Sequence, residues 1–258
     1  MEYEKRADHT GHFLIDRYDA KRRPRYNPIP HFHNSIELLF IESGSYLAYT
    51  GGESRVLGAR DVVFVDRRVP HTSGSSGEDE GLSVYVMVVS DAYLSAIGWL
   101  KSETLPAFSS LGEEGQFIFD FLRCAYKNRE SLNDEMRIGY ISLILGALTQ
   151  TVPRIKRSAE RENRTILEIM NYISEHFSED ISLEGLASAM GYEATYLSKM
   201  FNSFFKMNLR EYINRYRISE IMKRQRSDSL PLYKIAEECG YKSENTFYRA
   251  YKKYSQEV

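Results

Sequence analysis

Two histidines and a glutamate are spaced to act together, and a third histidine further along could complete the set. In His31-Phe32-His33 the two imidazoles lie two residues apart, so an extended strand projects both from one face, and Glu37 follows four residues on. His71 comes soon after an apolar run, Asp61-Val62-Val63-Phe64-Val65. Three imidazole nitrogens with one carboxylate make a donor set for a divalent transition metal. The same residues also suit plain hydrogen bonding at strand ends, with Glu37 paired to an arginine.

A second group of polar side chains surrounds a near-repeat in the last third. Leu186-Ala187-Ser188-Ala189-Met190-Gly191-Tyr192 returns as Ile235-Ala236-Glu237-Glu238-Cys239-Gly240-Tyr241, with alanine, glycine and tyrosine each recurring 49 positions later. Each copy predicts a short helix, a glycine that can turn left-handed without steric cost, and a second helix: helix-turn-helix grammar, twice. Leu197, Met200, Phe201 and Phe204 are spaced to face inward in the first copy, as are Phe247, Ala250, Tyr251 and Tyr254 in the second. The opposite faces offer Thr195, Tyr196, Ser198, Lys199 and Asn202, then Glu244, Asn245, Tyr248, Arg249 and Lys252. An asparagine can pair with adenine, an arginine with guanine and a glutamate with cytosine, whereas lysines meet phosphates.

The elements that must hold these residues can be read in outline. Residues 12 to 90 alternate apolar runs (Leu38 to Ile41, Val62 to Val65, Val84 to Val89) with glycine-rich turns, which predicts an all-β barrel or sandwich. Glu113 to Val152 reads as helical. Ile138, Ile141, Leu145, Leu148 and Val152 step by 3, 4, 3 and 4, a short heptad-like seam that predicts either dimerisation or an ordinary core helix. A charge-dense run from Pro153 to Arg164 reads as a linker. Tyr26, Phe40, Tyr46, Tyr49 and Tyr85 either stack on a sugar ring, if they face the barrel interior, or are core, and Lys21-Arg22-Arg23-Pro24-Arg25 is either a solvated arm or an anion-binding rim.

Between the copies, Arg210 to Arg226 contains Glu211-Tyr212-Ile213 and Arg215-Tyr216-Arg217-Ile218. With the two motifs and their separation, this stretch closely resembles the DNA-binding domain of the AraC/XylS family of transcription regulators, over about residues 163 to 254. His31, His33, Glu37 and Gly44 reproduce the spacing H-x-H-x3-E-x6-G of the first cupin motif, so the N-terminal half resembles the cupin-type sensor domain of such regulators. In the second motif Asp61 and His71 remain, but Arg60, Asp66 and Arg68 stand where glycine, proline and glycine are usual. In the C-terminal half, Lys206 replaces a usual glycine, Ile221 a small alanine and Arg224-Gln225 a leucine pair.

The resemblance implies an α+β chain of two domains: a cupin-like effector-binding β-barrel over 1–110 with a helical dimerisation element over 111–152, a linker over 153–162, and an all-α double helix-turn-helix domain over 163–258. It implies a DNA-binding regulator, not an enzyme, responsive to a sugar or related metabolite. Base-reading positions carry over to Thr195, Ser198 and Lys199 and to Glu244, Asn245, Tyr248 and Arg249, with Asn202 and Lys252 on the same faces. The two insertions would lie about one DNA turn, roughly 34 Å, apart. The effector site falls on His31, His33, Glu37, His71, Tyr26 and Tyr46. No cofactor is expected; a metal, if held, would be held by the three histidines and Glu37. Double-stranded DNA, the effector, a second copy of the chain and RNA polymerase are the implied partners. The rival reading is a cupin metalloenzyme, a dioxygenase or isomerase with a DNA-binding tail.

Composition agrees with a regulator. The net charge is −2, but residues 1 to 153 carry 16 basic and 21 acidic side chains against 18 and 15 in the remainder, a positive tilt where phosphates must be met. The start of the chain lacks the apolar stretch of a signal peptide, and the longest apolar segment, Ile141 to Leu148, is too short to span a bilayer, so the cytoplasm is the expected compartment and no membrane is involved.

Overall fold

A computed structural model describes residues 13–19, 30–75, 81–99, 103–156, 161–225 and 229–255. The chain forms two compact units, with the main division between Glu160 and Arg161. Tyr26 and the 21–25 basic cluster lie outside the described residues.

The first unit is built on antiparallel sheets. Strands β1 (Phe13–Asp19), β2 (Ile36–Ser43), β5 (Asp61–Val65), β7 (Ser83–Val89) and β9 (Phe108–Ser110) form a five-stranded sheet in the order β1-β7-β2-β5-β9. Strands β3 (Tyr46–Thr50), β4 (Glu53–Leu57) and β6 (His71–Ser75) form a second sheet, β4-β3-β6, and β8 (Glu103–Thr104) pairs with β10 (Ile155–Lys156), inside the stretch expected to be linker. The expected barrel is therefore corrected: among the described residues no sheet closes on itself. The physical reason is visible in β7, whose seven residues are all buried. Both faces of the large sheet are covered, but by different layers. Leu39, Ile41, Val63, Val65, Val86 and Val88 pack toward Tyr46, Ala48 and Leu57 of the small sheet. On the other face, Leu38, Phe40, Phe64, Tyr85 and Met87 pack on helices α2 (Gln116–Asn128) and α3 (Asp134–Thr151), which follow the short α1 (Asp91–Ala96). A sheet capped by helices has no need to curl shut.

That packing also decides the role of the heptad-like seam. Ile141, Leu145, Leu148 and Val152 are buried in the chain's own core, and only Ile138 of the five is exposed. The outward face of α3 instead shows Met136, Gly139, Leu143, Gly146 and Gln150, stepping again by 3, 4, 3 and 4.

The second unit repeats itself. Helix α4 (Arg161–His176) precedes the pair α5 (Leu183–Met190) and α6 (Ala194–Phe205); helix α7 (Leu209–Arg224) precedes the pair α8 (Leu232–Glu238) and α9 (Glu244–Tyr254). Ser182 and Asn208 cap α5 and α7 by accepting from the backbone N–H three residues on. Gly191 and Gly240 take the left-handed turn, with φ 71° and 95°. After each glycine the tyrosine reaches back to the preceding long helix, Tyr192 to Thr165 and Tyr241 to Asn214, both hydroxyl contacts being 3.0 Å. Thr165 and Asn214 are themselves 49 positions apart, so the duplication extends into α4 and α7, where the sequence motif had not shown it.

Arg217 of α7 joins the two copies. Its guanidinium donates to the carbonyls of Phe177 and Glu179 at 2.7 Å each, just beyond the end of α4, and lies over the Tyr241 ring at 5.6 Å. Burial lowers its pKa, opposed by Tyr241 and Asp180 nearby, and the guanidinium stays charged. Gly240 passes so close that a Cβ would stand 2.7 Å from the Ser178 carbonyl oxygen and 2.9 Å from Arg217 Nη2. The unusual Ile221 is fully buried in this second core, and Arg224 pairs with Glu238 of α8 where the family has an apolar pair. Lys206 adopts φ 53°, left-handed despite its Cβ. Gly240→Ala is expected to destabilise the unit by about 3 kcal/mol, through strain and the clash with Ser178, while Lys206→Gly stabilises it by about 0.5–1 kcal/mol. Urea unfolding followed by helical circular dichroism measures both; shifts in the same direction would contradict this account.

Candidate functional site

In the first unit the sequence-spaced histidines do converge. His31, His33, Glu37 and His71 each offer one ligand atom, and these atoms lie within 4.8 Å of one another. The sheet ends place them: Glu37 is the second residue of β2, on the face directed between the two sheets with Leu39 and Ile41, and His71 opens β6. His31 and His71 exchange both backbone hydrogen bonds, at 2.9 and 2.8 Å, so the approach to β2 is stitched to β6 at this point. Their rings are 4.3 Å apart, and His33 and His71 are 4.9 Å apart.

The proton positions follow from the partners. His33 Nδ1 is 2.8 Å from the Ser35 carbonyl oxygen and His71 Nδ1 is 2.9 Å from that of Val69. A carbonyl only accepts, so both Nδ1 atoms carry hydrogen and both Nε2 atoms are turned away from those carbonyls. These Nε2 atoms face the same carboxylate oxygen, Glu37 Oε2, at 3.1 and 3.5 Å. His71 Nε2 is buried and makes no hydrogen bond. Two neutral imidazole lone pairs opposite a carboxylate repel it, so positive charge is needed between them, as a proton or as a cation. Backbone carbonyls fixing Nδ1–H while Nε2 points inward is the outer-shell arrangement of metal-binding histidines, and the residues present fit a divalent ion. Burial opposes the Glu37 charge, but the hydrogen bond with His33 and the closeness of His71 outweigh this and hold its pKa well below the usual value. His31 is pushed well below 6.5, first by burial and then by His71 beside it.

Tyr46, expected at the effector site, is instead a core residue whose hydroxyl meets Ser73 Oγ at 2.9 Å. Phe40, Tyr49 and Tyr85 are likewise buried, so these rings are spent on packing.

In the second unit the polar faces are presented as the repeat predicts. Leu197, Phe201 and Phe205 of α6 and Phe247, Ala250 and Tyr254 of α9 are buried. Phe205 takes the inward place expected of Phe204, which is half-buried. Thr195, Lys199 and Asn202 are exposed with Ser198 half-buried, and Glu244, Asn245, Tyr248, Arg249 and Lys252 are all exposed. Tyr196, on the same face as Thr195, is 54 % exposed.

Residues 186–258 match the helix-turn-helix domain and residues 23–88 match the cupin domain. The regulatory protein SoxS of Salmonella typhimurium is 30% identical over 88 residues, which cover 34% of this chain and 82% of that relative. The chain belongs to the AraC/XylS family of transcription regulators. The multiple antibiotic resistance protein MarA of Escherichia coli is 29% identical over 90 residues, 35% of this chain and 71% of MarA. The fold extends the likeness to the whole chain: ToxT from Vibrio cholerae, solved with an unsaturated fatty acid bound, aligns over 95% of this chain and 92% of its own with TM-score 0.52 at 16% identity. As a member of the AraC/XylS family the chain is a DNA-binding transcription regulator with a cupin-like N-terminal half, and the metalloenzyme reading is set aside. Among the described residues, no helix is long and apolar enough to cross a membrane.

In metal-free protein, stability of the first unit is expected to fall as pH drops below about 6.5, because the unfolded chain takes up a proton at His31 that the folded chain resists. The depressed Glu37 contributes stability above about pH 4.3 that is lost as pH falls further, through its folded-state value. Melting temperatures in EDTA between pH 8 and 5 should decline more steeply for the natural chain than for His31→Asn; parallel declines would exclude His31 as the source.

Proposed function

We propose that this regulator reads two short DNA segments through α6 and α9 and answers to a small molecule bound at the histidine cluster of its N-terminal half. The observation that carries the DNA reading is the exposure of Thr195, Lys199, Asn245 and Arg249 on the two helices whose other faces are buried. Arg249 reads guanine and Asn245 adenine by bidentate pairing, Glu244 accepts from cytosine, and Lys199 meets phosphate. The cluster of His31, His33, Glu37 and His71 is the effector site, and a divalent cation held by these four residues supplies the positive charge their geometry demands. The bound cation would offer a Lewis-acidic point of attachment for an effector; the residues themselves orient and neutralise it. Regulation of this kind takes place in the cytoplasm, where the DNA is.

Two copies act together, and the outward face of α3 is the surface we assign to their contact. Met136 and Leu143 are 48 % and 51 % exposed, and nothing stands within 4 Å of a Cβ built on Gly139 or Gly146. Glycines within a helix cost roughly 1 kcal/mol each, and here they leave room for a second helix to approach.

Selection from a random duplex library at near-physiological salt tests the central reading: two enriched motifs about 10 base pairs apart are expected. Arg249→Ala should then weaken specific binding by about 1–3 kcal/mol and relax one base position, whereas Lys199→Ala should weaken all duplexes alike and flatten the salt dependence. Equal loss on specific and random DNA for Arg249→Ala would make it a phosphate contact. For the dimer, Leu143→Glu should leave the fold intact and halve the mass seen by sedimentation at micromolar protein; an unchanged mass would remove α3 as the contact.

A further inference from the structure

We propose that Tyr196 reads thymine: its ring packs on thymine 5-methyl groups in the major groove, so that α6 selects its DNA segment by apolar contact where α9 selects by hydrogen bonds. This rests on the reading of α6 as a helix that enters the groove, and it adds a specificity-determining residue and the base that residue recognises.

The chemistry of the two helices differs. Along α9, Glu244, Asn245, Arg249 and Lys252 place charges and an amide on the exposed face. Along α6, Lys199 is the one charged residue. As a phosphate contact it positions the helix and carries no sequence information. Thr195 and Ser198 offer hydroxyls, which donate or accept as they turn and so discriminate weakly between bases. Asn202 stands about two turns beyond Thr195, away from the N-terminal end that meets base edges in helices of this kind. What remains in the first turn of α6 is a ring, that of Tyr196, which is 54 % exposed.

That ring is held ready. It lies 5.8 Å from the Tyr192 ring at an interplanar angle of 31°, and the Tyr192 hydroxyl meets Thr165 Oγ1 of α4 at 3.0 Å. Tyr192 thus backs the ring, and little side-chain freedom is left to lose on binding. The repeat itself does not call for an aromatic there. Tyr196 precedes the buried Leu197 as Thr246 precedes the buried Phe247, and Thr246 is exposed too. The second copy makes the same fold with a threonine at this position, so the ring is surplus to the fold of the first. A large apolar surface kept in water at the groove-entering end of a helix gains free energy when a partner covers it, and the thymine methyl is the apolar feature of the major groove.

The experiment titrates the full chain, by fluorescence anisotropy at near-physiological salt, against the duplex enriched from the random library, with each thymine replaced in turn by uracil, which lacks only the methyl. One or more replacements, all within one of the two segments, should weaken binding about three- to fivefold. Tyr196→Phe and Thr195→Ser should keep that discrimination, and Tyr196→Ala should bind the thymine and uracil duplexes alike while melting as the natural chain does. Discrimination that survives in Tyr196→Ala overturns the proposal. So does its loss in Tyr196→Phe, which would give the role to the hydroxyl, or in Thr195→Ser, which would give it to the threonine methyl. A lowered melting temperature for Tyr196→Ala with equal weakening on specific and random DNA makes the ring a packing residue and also overturns it. The two failures are distinguishable: a library from which no duplex is enriched removes the DNA reading and the proposal with it, whereas an enriched site insensitive to uracil at every position removes the role of Tyr196 alone.

Discussion

The two helix-turn-helix copies are joined at one point, Arg217 beside Gly240. A helix that ends in a protein interior leaves carbonyls without partners. Here the carbonyls of Phe177 and Glu179 are answered by a side chain from α7, the helix that links the copies. The same guanidinium lies over Tyr241, the residue after the second turn glycine. One cation therefore satisfies the end of the first bundle and supports the turn of the second. The close passage of Gly240 against Ser178 and Arg217 explains why that position is glycine for two reasons, its φ and its lack of a Cβ, whereas open space above Gly191 leaves only the first.

The N-terminal half is organised by a different constraint, the need for positive charge among His33, His71 and Glu37. Two Nδ1–H groups fixed by backbone carbonyls leave both Nε2 atoms no choice of direction. The strands around them are held by apolar layers on both faces of the large sheet, so the cluster does not have to stabilise the fold and is free to be a binding site. Burying such groups costs free energy unless they are paired, and Glu37 offsets part of that cost through His33.

The departures from family glycines share a physical character. Arg60, Arg68 and Lys206 are the non-glycine residues with positive φ among the described residues, and all three are cations standing where a glycine is usual. The backbone shape has been kept while the residue has changed. The local strain of roughly 1–2 kcal/mol for each is small against the total holding each unit together, which is why the turns persist.

Much of this was legible in order along the chain. The repeat of Ala187, Gly191 and Tyr192 at Ala236, Gly240 and Tyr241 determined two helix-turn-helix units, because helix periodicity and a left-handed turn are local properties. His31, His33 and Glu37 were legible from their spacing, whereas His71 was placed only by the resemblance to the second cupin motif. What the sequence could not decide was what each apolar face packs against. Periodicity marks a face of α3 as apolar without saying whether a sheet or another chain covers it, and Ile141, Leu145 and Leu148 went to the sheet. Alternating strands predicted a barrel or sandwich, and the barrel does not form among the described residues because helices cap one face of the large sheet. Tyr46 was read as either a ligand-stacking ring or core, and it is buried, since exposure belongs to the assembled layers. Sequence alone determined the local turns, helices and donor residues; only tertiary structure decided burial, sheet closure and which lone pairs meet, because those depend on contacts between residues far apart in the chain.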